Sequence, residues 1–143
     1  MGKFEQFREE AAAAVKTALS QVGAEVEVVL EKPPSGLADL AFPCFPLAKK
    51  LRKAPDIIAK DLAGRMRPGG MIDRLEAKGG YVNFFVSFPQ MAQAVLDEAL
   101  STRERYGMGA PKGVRMLLEH TSVNPTGPIH VGRARNPIIG DTL

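Results

Sequence analysis

Met71-Ile-Asp-Arg-Leu-Glu-Ala-Lys-Gly79-Gly80-Tyr81-Val-Asn-Phe-Phe-Val86 is the stretch whose reading decides the fold. Residues 71–78 and 81–86 read as two strands, and Gly79-Gly80 between them suits a tight hairpin, because a two-residue turn needs positive φ that glycine adopts without strain. Tyr81, Phe84 and Phe85 alternate around Asn83, so most of these rings belong to a core. One exposed ring beside Asn83 would be free to stack on an unpaired base.

The flanking segments supply helices to cover this hairpin. Downstream, Ser87 is placed to cap a helix from Phe88 to Arg105, with Pro89 in its first turn and Met91, Val95, Ala99 and Leu100 facing inward. Upstream, Pro55 opens a helix whose Ile58, Leu62 and Met66 share a face, closed by Arg67-Pro68-Gly69-Gly70. Residues 37–45 read as a loop, followed by a short helix beginning near Pro46 that turns Leu47, Ala48 and Leu51 inward. At the amino terminus Phe4, Phe7, Ala11, Ala14, Val15, Ala18, Leu19 and Val22 recur at steps of three and four, the spacing of one helix face. Gly23 is a natural stop. Glu25 to Leu30 alternates as a half-buried strand does, and Pro33-Pro34 ends it by removing ladder donors. The expectation is an α+β domain over residues 1–106, a small antiparallel sheet of three to four strands packed with helices.

Composition sets the outer bounds. The 143 residues are 45% hydrophobic and 24% charged, which excludes a wholly disordered chain. Nineteen basic against sixteen acidic residues leave a net charge of +3, too small and too mixed in sign to establish nucleic-acid binding alone. The only apolar run near the amino terminus is Ala11 to Val15, too short for a signal peptide or a membrane span. A single cysteine, Cys44, and two histidines make neither a disulfide nor a zinc site, so no metal is expected and a reducing, cytoplasmic setting is the default. Cys44 reads as a small buried hydrophobe. Lys49, Lys50, Arg52 and Lys53 read as a solvated helix face before they read as an RNA contact.

Three glycines and a proline among residues 106–113 mark a linker, placed at residues 107–113. Residues 114–143 begin something different: an apolar strand from Val114 to Glu119, a polar turn, then a helix opening at Ile129 or His130. The turn runs Glu119-His-Thr-Ser122-Val-Asn124-Pro-Thr-Gly-Pro-Ile-His130-Val-Gly132-Arg133. Free N–H groups and the positive end of the helix dipole meet there, which is a phosphate-binding geometry. His130 would donate to a phosphate or ribose oxygen, and Gly132 would let a flat base approach the backbone. Asn136-Pro137 inside the helix predicts a kink or restart.

The segment from Glu119 to Arg133 resembles the first signature of the class I aminoacyl-tRNA synthetases, and in its Glu-x-x-Ser-x-Asn-Pro and His-x-Gly spacing the arginyl-tRNA synthetase family. Ile138-Ile139-Gly140-Asp141, Asp39, the Leu47 to Pro55 run and Gly79 to Phe85 are similar to that family as well. The resemblance implies an appended domain that contacts the elbow of tRNA(Arg), with Tyr81, Asn83 and Phe85 as its contacts. It further implies the first strand and helix of a Rossmann-like α/β catalytic domain, truncated at Leu143. Glu119, Ser122, Asn124 and His130 would bind arginine, and His130, Gly132 and Arg133 would bind ATP, with His130 and Arg133 in the catalytic set. The full enzyme would be a ligase that activates arginine with ATP, accompanied by Mg2+, and transfers it to tRNA(Arg); the 143 residues alone would be inactive and bind no cofactor. Arg133 stands where the family pattern has a second histidine, so its role does not carry over from histidine. Another class I synthetase, a nucleotidylyltransferase or a non-enzymatic RNA-binding module are the alternatives. Val114, Met116, Leu117 and Leu118, without neighbouring strands, would be disordered, pack on the first domain or pair with another molecule, and disorder or intermolecular pairing is expected.

Overall fold

The computed structural model describes residues 2–33, 36–119, 127 and 131–142. By its internal contacts the chain forms two units, Met1–Met108 and Gly109–Leu143.

The first unit opens with helix α1, Lys3–Gln21, which buries Phe7, Ala11, Val15, Ala18 and Leu19 along one face. Phe4, expected on that face, is 42% exposed, one turn beyond the covered surface. The helix ends as the sequence predicts. Gly23 takes φ +67°, its N–H donates to the Ser20 carbonyl at 3.2 Å, and the Ala24 N–H donates to the Leu19 carbonyl at 3.1 Å. These two bonds satisfy carbonyls that a helix end leaves open, and the apolar pair Ala24 and Leu19 is buried with them.

Residues 25–30 correct one expectation. Val26, Val28 and Leu30 are half-buried while Glu25, Glu27 and Val29 are exposed, so the alternation is real. Among the described residues no ladder forms along them, and the segment pairs with the sheet backbone only where Glu31 and Ala41 exchange N–H···O bonds of 2.8 and 2.9 Å. Alternation reports which side chains face the body; a strand also requires a neighbour in hydrogen-bonding register. The neighbour lies in the segment expected to be a loop, where β1, Leu40–Pro43, is a short strand.

Helix α2, Phe45–Leu51, buries Leu47, and α3, Pro55–Arg65, starts on its proline and buries Ile58, Ala59 and Leu62. Strands β2, Ile72–Lys78, and β3, Tyr81–Val86, form the expected hairpin, with Gly79 at φ +60° and Gly80 at φ +78°. Two consecutive positive φ values are what a turn of this hand requires. Among the described residues the sheet has three antiparallel strands in the order β1-β3-β2. Val82, Phe84 and Val86 of β3 point into the core with Leu40, Phe42, Leu47, Ile58 and Leu62. α1 and α3 contribute to the same apolar cluster, so one sheet face is covered by helices.

Two side-chain carboxylates tie the sheet ends: Glu10 Oε2 accepts the Met71 N–H at 2.7 Å, and Asp39 Oδ2 accepts the Val86 N–H at 2.9 Å. Helix α4, Phe88–Thr102, follows, and a 3-10 turn takes up Arg103–Arg105, so the α-helix stops three residues short of the expected Arg105. Ser87 occupies the cap position, but its carbonyl, not its hydroxyl, takes the Met91 N–H. Met91, Val95 and Ala99 are half-buried, whereas Leu100 is 73% exposed and does not face the core. Apolar residues lie on several sides of α4, so spacing alone did not separate its covered face from its open one.

In the second unit residues 114–119, read as a strand of the intact catalytic domain but expected to lack a ladder without neighbouring strands, are exposed and irregular; Leu117 is 99% exposed. A lone segment has no ladder to join among the described residues. Helix α5, Val131–Thr142, runs through Asn136-Pro137 without the expected restart. Proline deletes a single N–H donor, and the helix continues with that bond missing.

Candidate functional site

The sheet face turned away from the helices carries the candidate site. On the central strand β3 the outward residues are Tyr81, Asn83 and Phe85, at every second position. Register places Lys78 opposite Tyr81, Glu76 opposite Asn83 and Arg74 opposite Phe85 on β2, and Ala41 opposite Asn83 on β1. Glu31 to Pro33, with Gly36 and Leu37, line one side. The resulting open cleft has a volume of about 620 Å³ and is lined by these side chains with Lys32, Pro33 and Gly36.

Asn83 forms the floor. It is only 8% exposed, the single buried polar residue of the described chain, and its carboxamide has no protein hydrogen-bond partner among the described residues. Among the described residues no buried side-chain nitrogen or oxygen is left unsatisfied, so the amide atoms are not closed off, and Asn83 lines the cleft. An amide there offers two donors and a two-lone-pair acceptor to whatever enters. Tyr81 is held from the side by Phe45, ring centroids 5.1 Å apart at 75°, an edge-to-face contact. Phe85 is covered by Arg74, whose guanidinium carbon sits 3.7 Å above the ring centroid.

The residues expected to contact RNA, Tyr81, Asn83 and Phe85, are thus brought together on one surface, and the intervening Phe84 ring is fully buried in the core. Lys49, Lys50, Arg52 and Lys53 are exposed, and Lys50 donates to the Glu25 carbonyl at 2.5 Å. Sequence reasoning missed Arg74. The signal was present: the two-glycine turn fixes the register, and the register sets Arg74 against Phe85.

The other candidate residues lie in the second unit. Ser122, Asn124 and His130 lie outside the described residues. Glu119 is exposed. Gly132 is in the first turn of α5 and exposed, and Arg133 follows it in the helix, its side chain outside the described atoms. Among the described residues no group of three or more His, Cys, Asp or Glu could hold a metal ion, and no helix is long and apolar enough to cross a membrane. Cys44 is fully buried, and burial pushes its thiol up to about 11.

A helix-backed antiparallel sheet with one face open as a polar and aromatic cleft defines a small α+β domain. The chain belongs to the family described as arginyl tRNA synthetase N terminal domain, whose pattern matches residues 7–86. An arginine--tRNA ligase of Methanococcus maripaludis is 42% identical over 123 residues, 85% of this chain and 22% of that protein. One from Methanothermobacter thermautotrophicus is 40% identical over 144 residues, 98% of this chain and 25% of its own length. Among solved structures, the arginyl-tRNA synthetase of Thermus thermophilus superimposes with a TM-score of 0.56 at 36% identity, covering 94% of this chain and 22% of that one. The chain therefore spans between a fifth and a quarter of the length of these relatives.

Proposed function

We propose that this chain is the amino-terminal part of an arginine--tRNA ligase and that its open sheet face takes an unpaired nucleotide of tRNA(Arg). The observation that carries this reading is the alignment of Tyr81, Asn83 and Phe85 on β3 over a cleft, with a carboxamide in its floor that no protein group uses. A base entering the cleft would stack on an aromatic ring, a contact of about 1–3 kcal/mol, and present its edge to the Asn83 amide. Tyr81 is already fixed by Phe45, so little rotamer freedom is lost on binding.

In the same reading, residues 114–143 begin a Rossmann-like catalytic domain. Glu119, Ser122, Asn124 and His130 hold arginine, while His130, Gly132 and Arg133 meet ATP, which Mg2+ accompanies. The arginine carboxylate attacks the α-phosphorus, pyrophosphate leaves, and the arginyl group of the adenylate passes to a hydroxyl of the tRNA 3′ end with release of AMP, in the cytoplasm. These residues position and neutralise rather than form a covalent enzyme intermediate. Acting alone, the 143 residues are expected to support no arginine-dependent ATP–pyrophosphate exchange. The exposed run from Val114 to Leu118 is proposed to pair with a second molecule, which sedimentation over a range of protein concentration reads directly.

Binding of a tRNA(Arg) transcript to the chain tests the first part. Asn83→Ala and Tyr81→Leu should each weaken binding by about tenfold, in line with the loss of one stacked or hydrogen-bonded base. Lys60→Ala on the exposed surface of α3 should leave it unchanged. Equal binding by all three variants and the parent chain would reject an RNA role for the cleft.

A further inference from the structure

The expected contacts treat Tyr81 and Phe85 as equivalent rings, and the geometry separates them. Arg74 lies on Phe85 at 3.7 Å, so that ring face is already occupied by a cation. The two-residue turn sets this placement, since Lys78, Glu76 and Arg74 stand opposite Tyr81, Asn83 and Phe85 in unbroken register, and an irregularity in β2 follows directly beyond it. Ile72 pairs with Val86 and Arg74 pairs with Phe85, so one extra residue, Asp73, is inserted between them. In a regular strand Ile72 and Arg74 would point to the same face. The bulge breaks that parity: Ile72 is buried in the core at 5% exposure, while the Arg74 side chain stands 60% exposed on the outer face. The bulge thus returns Ile72 to the core without disturbing the outward row of Arg74, Glu76 and Lys78, and bulges commonly lie beside functional surfaces.

Stacking consumes the flat face of a guanidinium and leaves its rim of N–H donors open. The only other partner of the Arg74 side chain among the described residues is Asp73, whose Oδ2 lies 3.6 Å from one terminal nitrogen. That pair is exposed on both sides, and such pairs contribute little. Lys32 and Lys78 line the same cleft and add positive charge; Glu31 and Glu76 line it as well. A base edge could use the Asn83 floor, but a fixed planar fork of donors at the rim, on an aromatic support, matches the oxygens of a phosphodiester.

We infer that Arg74, held on the Phe85 ring, clamps a backbone phosphate of the bound RNA, leaving Tyr81 as the ring on which a base stacks. The inference rests on the reading that this face binds RNA, and it assigns Phe85 a positioning role that acts through Arg74.

The salt dependence of tRNA(Arg) binding to the full chain separates the two. Arg74→Gln should weaken binding about tenfold and reduce the slope of log K against log salt by about 0.7–0.9, the loss of one neutralised phosphate. Arg74→Lys should retain the slope while losing severalfold in affinity, because charge remains and the planar fork does not. Phe85→Leu should weaken binding, and adding it to Arg74→Gln should cost little more. Tyr81→Leu should weaken binding without changing the slope. An unchanged slope in Arg74→Gln, with Tyr81 and Asn83 variants still impaired, overturns the clamp and leaves the RNA reading standing. If none of these variants alters binding, both fall together.

Discussion

Replacing Gly80 by alanine tests whether the hairpin turn and the aromatic wall of the cleft are one rigid unit. Gly80 adopts φ +78°, and a Cβ built there would lie 2.9 Å from Pro55 Cβ and 3.0 Å from two atoms of the Phe45 ring. Its neighbour Gly79 has φ +60° and nothing within 4 Å of the same atom. Both substitutions incur the left-handed penalty, about 1–2 kcal/mol, offset by about 0.4–1 kcal/mol from a stiffer unfolded chain. Only Gly80→Ala adds overpacking, about 1–3 kcal/mol. The net loss should be about 0–1.5 kcal/mol for Gly79→Ala and about 1–4.5 kcal/mol for Gly80→Ala, measured by urea unfolding with the m-value held as a check. Phe45 must move to admit the new methyl, and Phe45 is the support of Tyr81, so Gly80→Ala should also weaken tRNA(Arg) binding while Gly79→Ala does not. Equal destabilisation by the two variants would refute the reasoning, since it would mean that Phe45 and Pro55 yield freely.

Other consequences are simpler to state. The Cys44 thiol is raised from 9.0 to about 11 by burial, so the folded state favours the neutral form. Its contribution, at most about 2–3 kcal/mol, should be complete below pH 9 and disappear as pH rises towards 11; the stability difference between the parent chain and Cys44→Ala, followed across that window, reads it out. Asp39→Ala should cost about 1–3 kcal/mol in the same unfolding assay, because the Val86 N–H at the end of the central strand loses its acceptor, whereas Asp39→Asn should recover most of it. Glu10→Gln should likewise be nearly neutral and Glu10→Ala destabilising, since either oxygen-bearing side chain can receive the Met71 N–H.

What the sequence disclosed depended on how local the determining physics was. The Gly79-Gly80 turn sets strand register within two residues, and the stop at Gly23 is set by its own backbone, so both were legible. Strand β1 was not: Leu40–Pro43 is four residues long and ends on a proline, and only its pairing with β3 makes it a strand. Residues 25–30 misled in the opposite direction, showing strand alternation with a ladder partner only at Glu31. At the site, the period-two spacing of Tyr81, Asn83 and Phe85 could be read directly. The bulge at Asp73 could not, because it follows from the competing demands of a buried Ile72 and an outward Arg74.

In the proposed function the two faces of β3 divide stability from recognition, and Asn83 tests that division. Val82, Phe84 and Val86 are buried apolar residues that hold the sheet to the helices, so truncating them should act through unfolding. Asn83 is as secluded as Val86, both at 8% exposure, yet its amide has no protein partner among the described residues, and the residue lines the cleft. A carboxamide so placed gains little from folding, because its hydrogen bonds to water are exchanged for nothing within the protein. Substitution by a small apolar residue should therefore cost little stability or even raise it, while impairing binding. That opposition between the two readouts is what a recognition group predicts and a structural one does not.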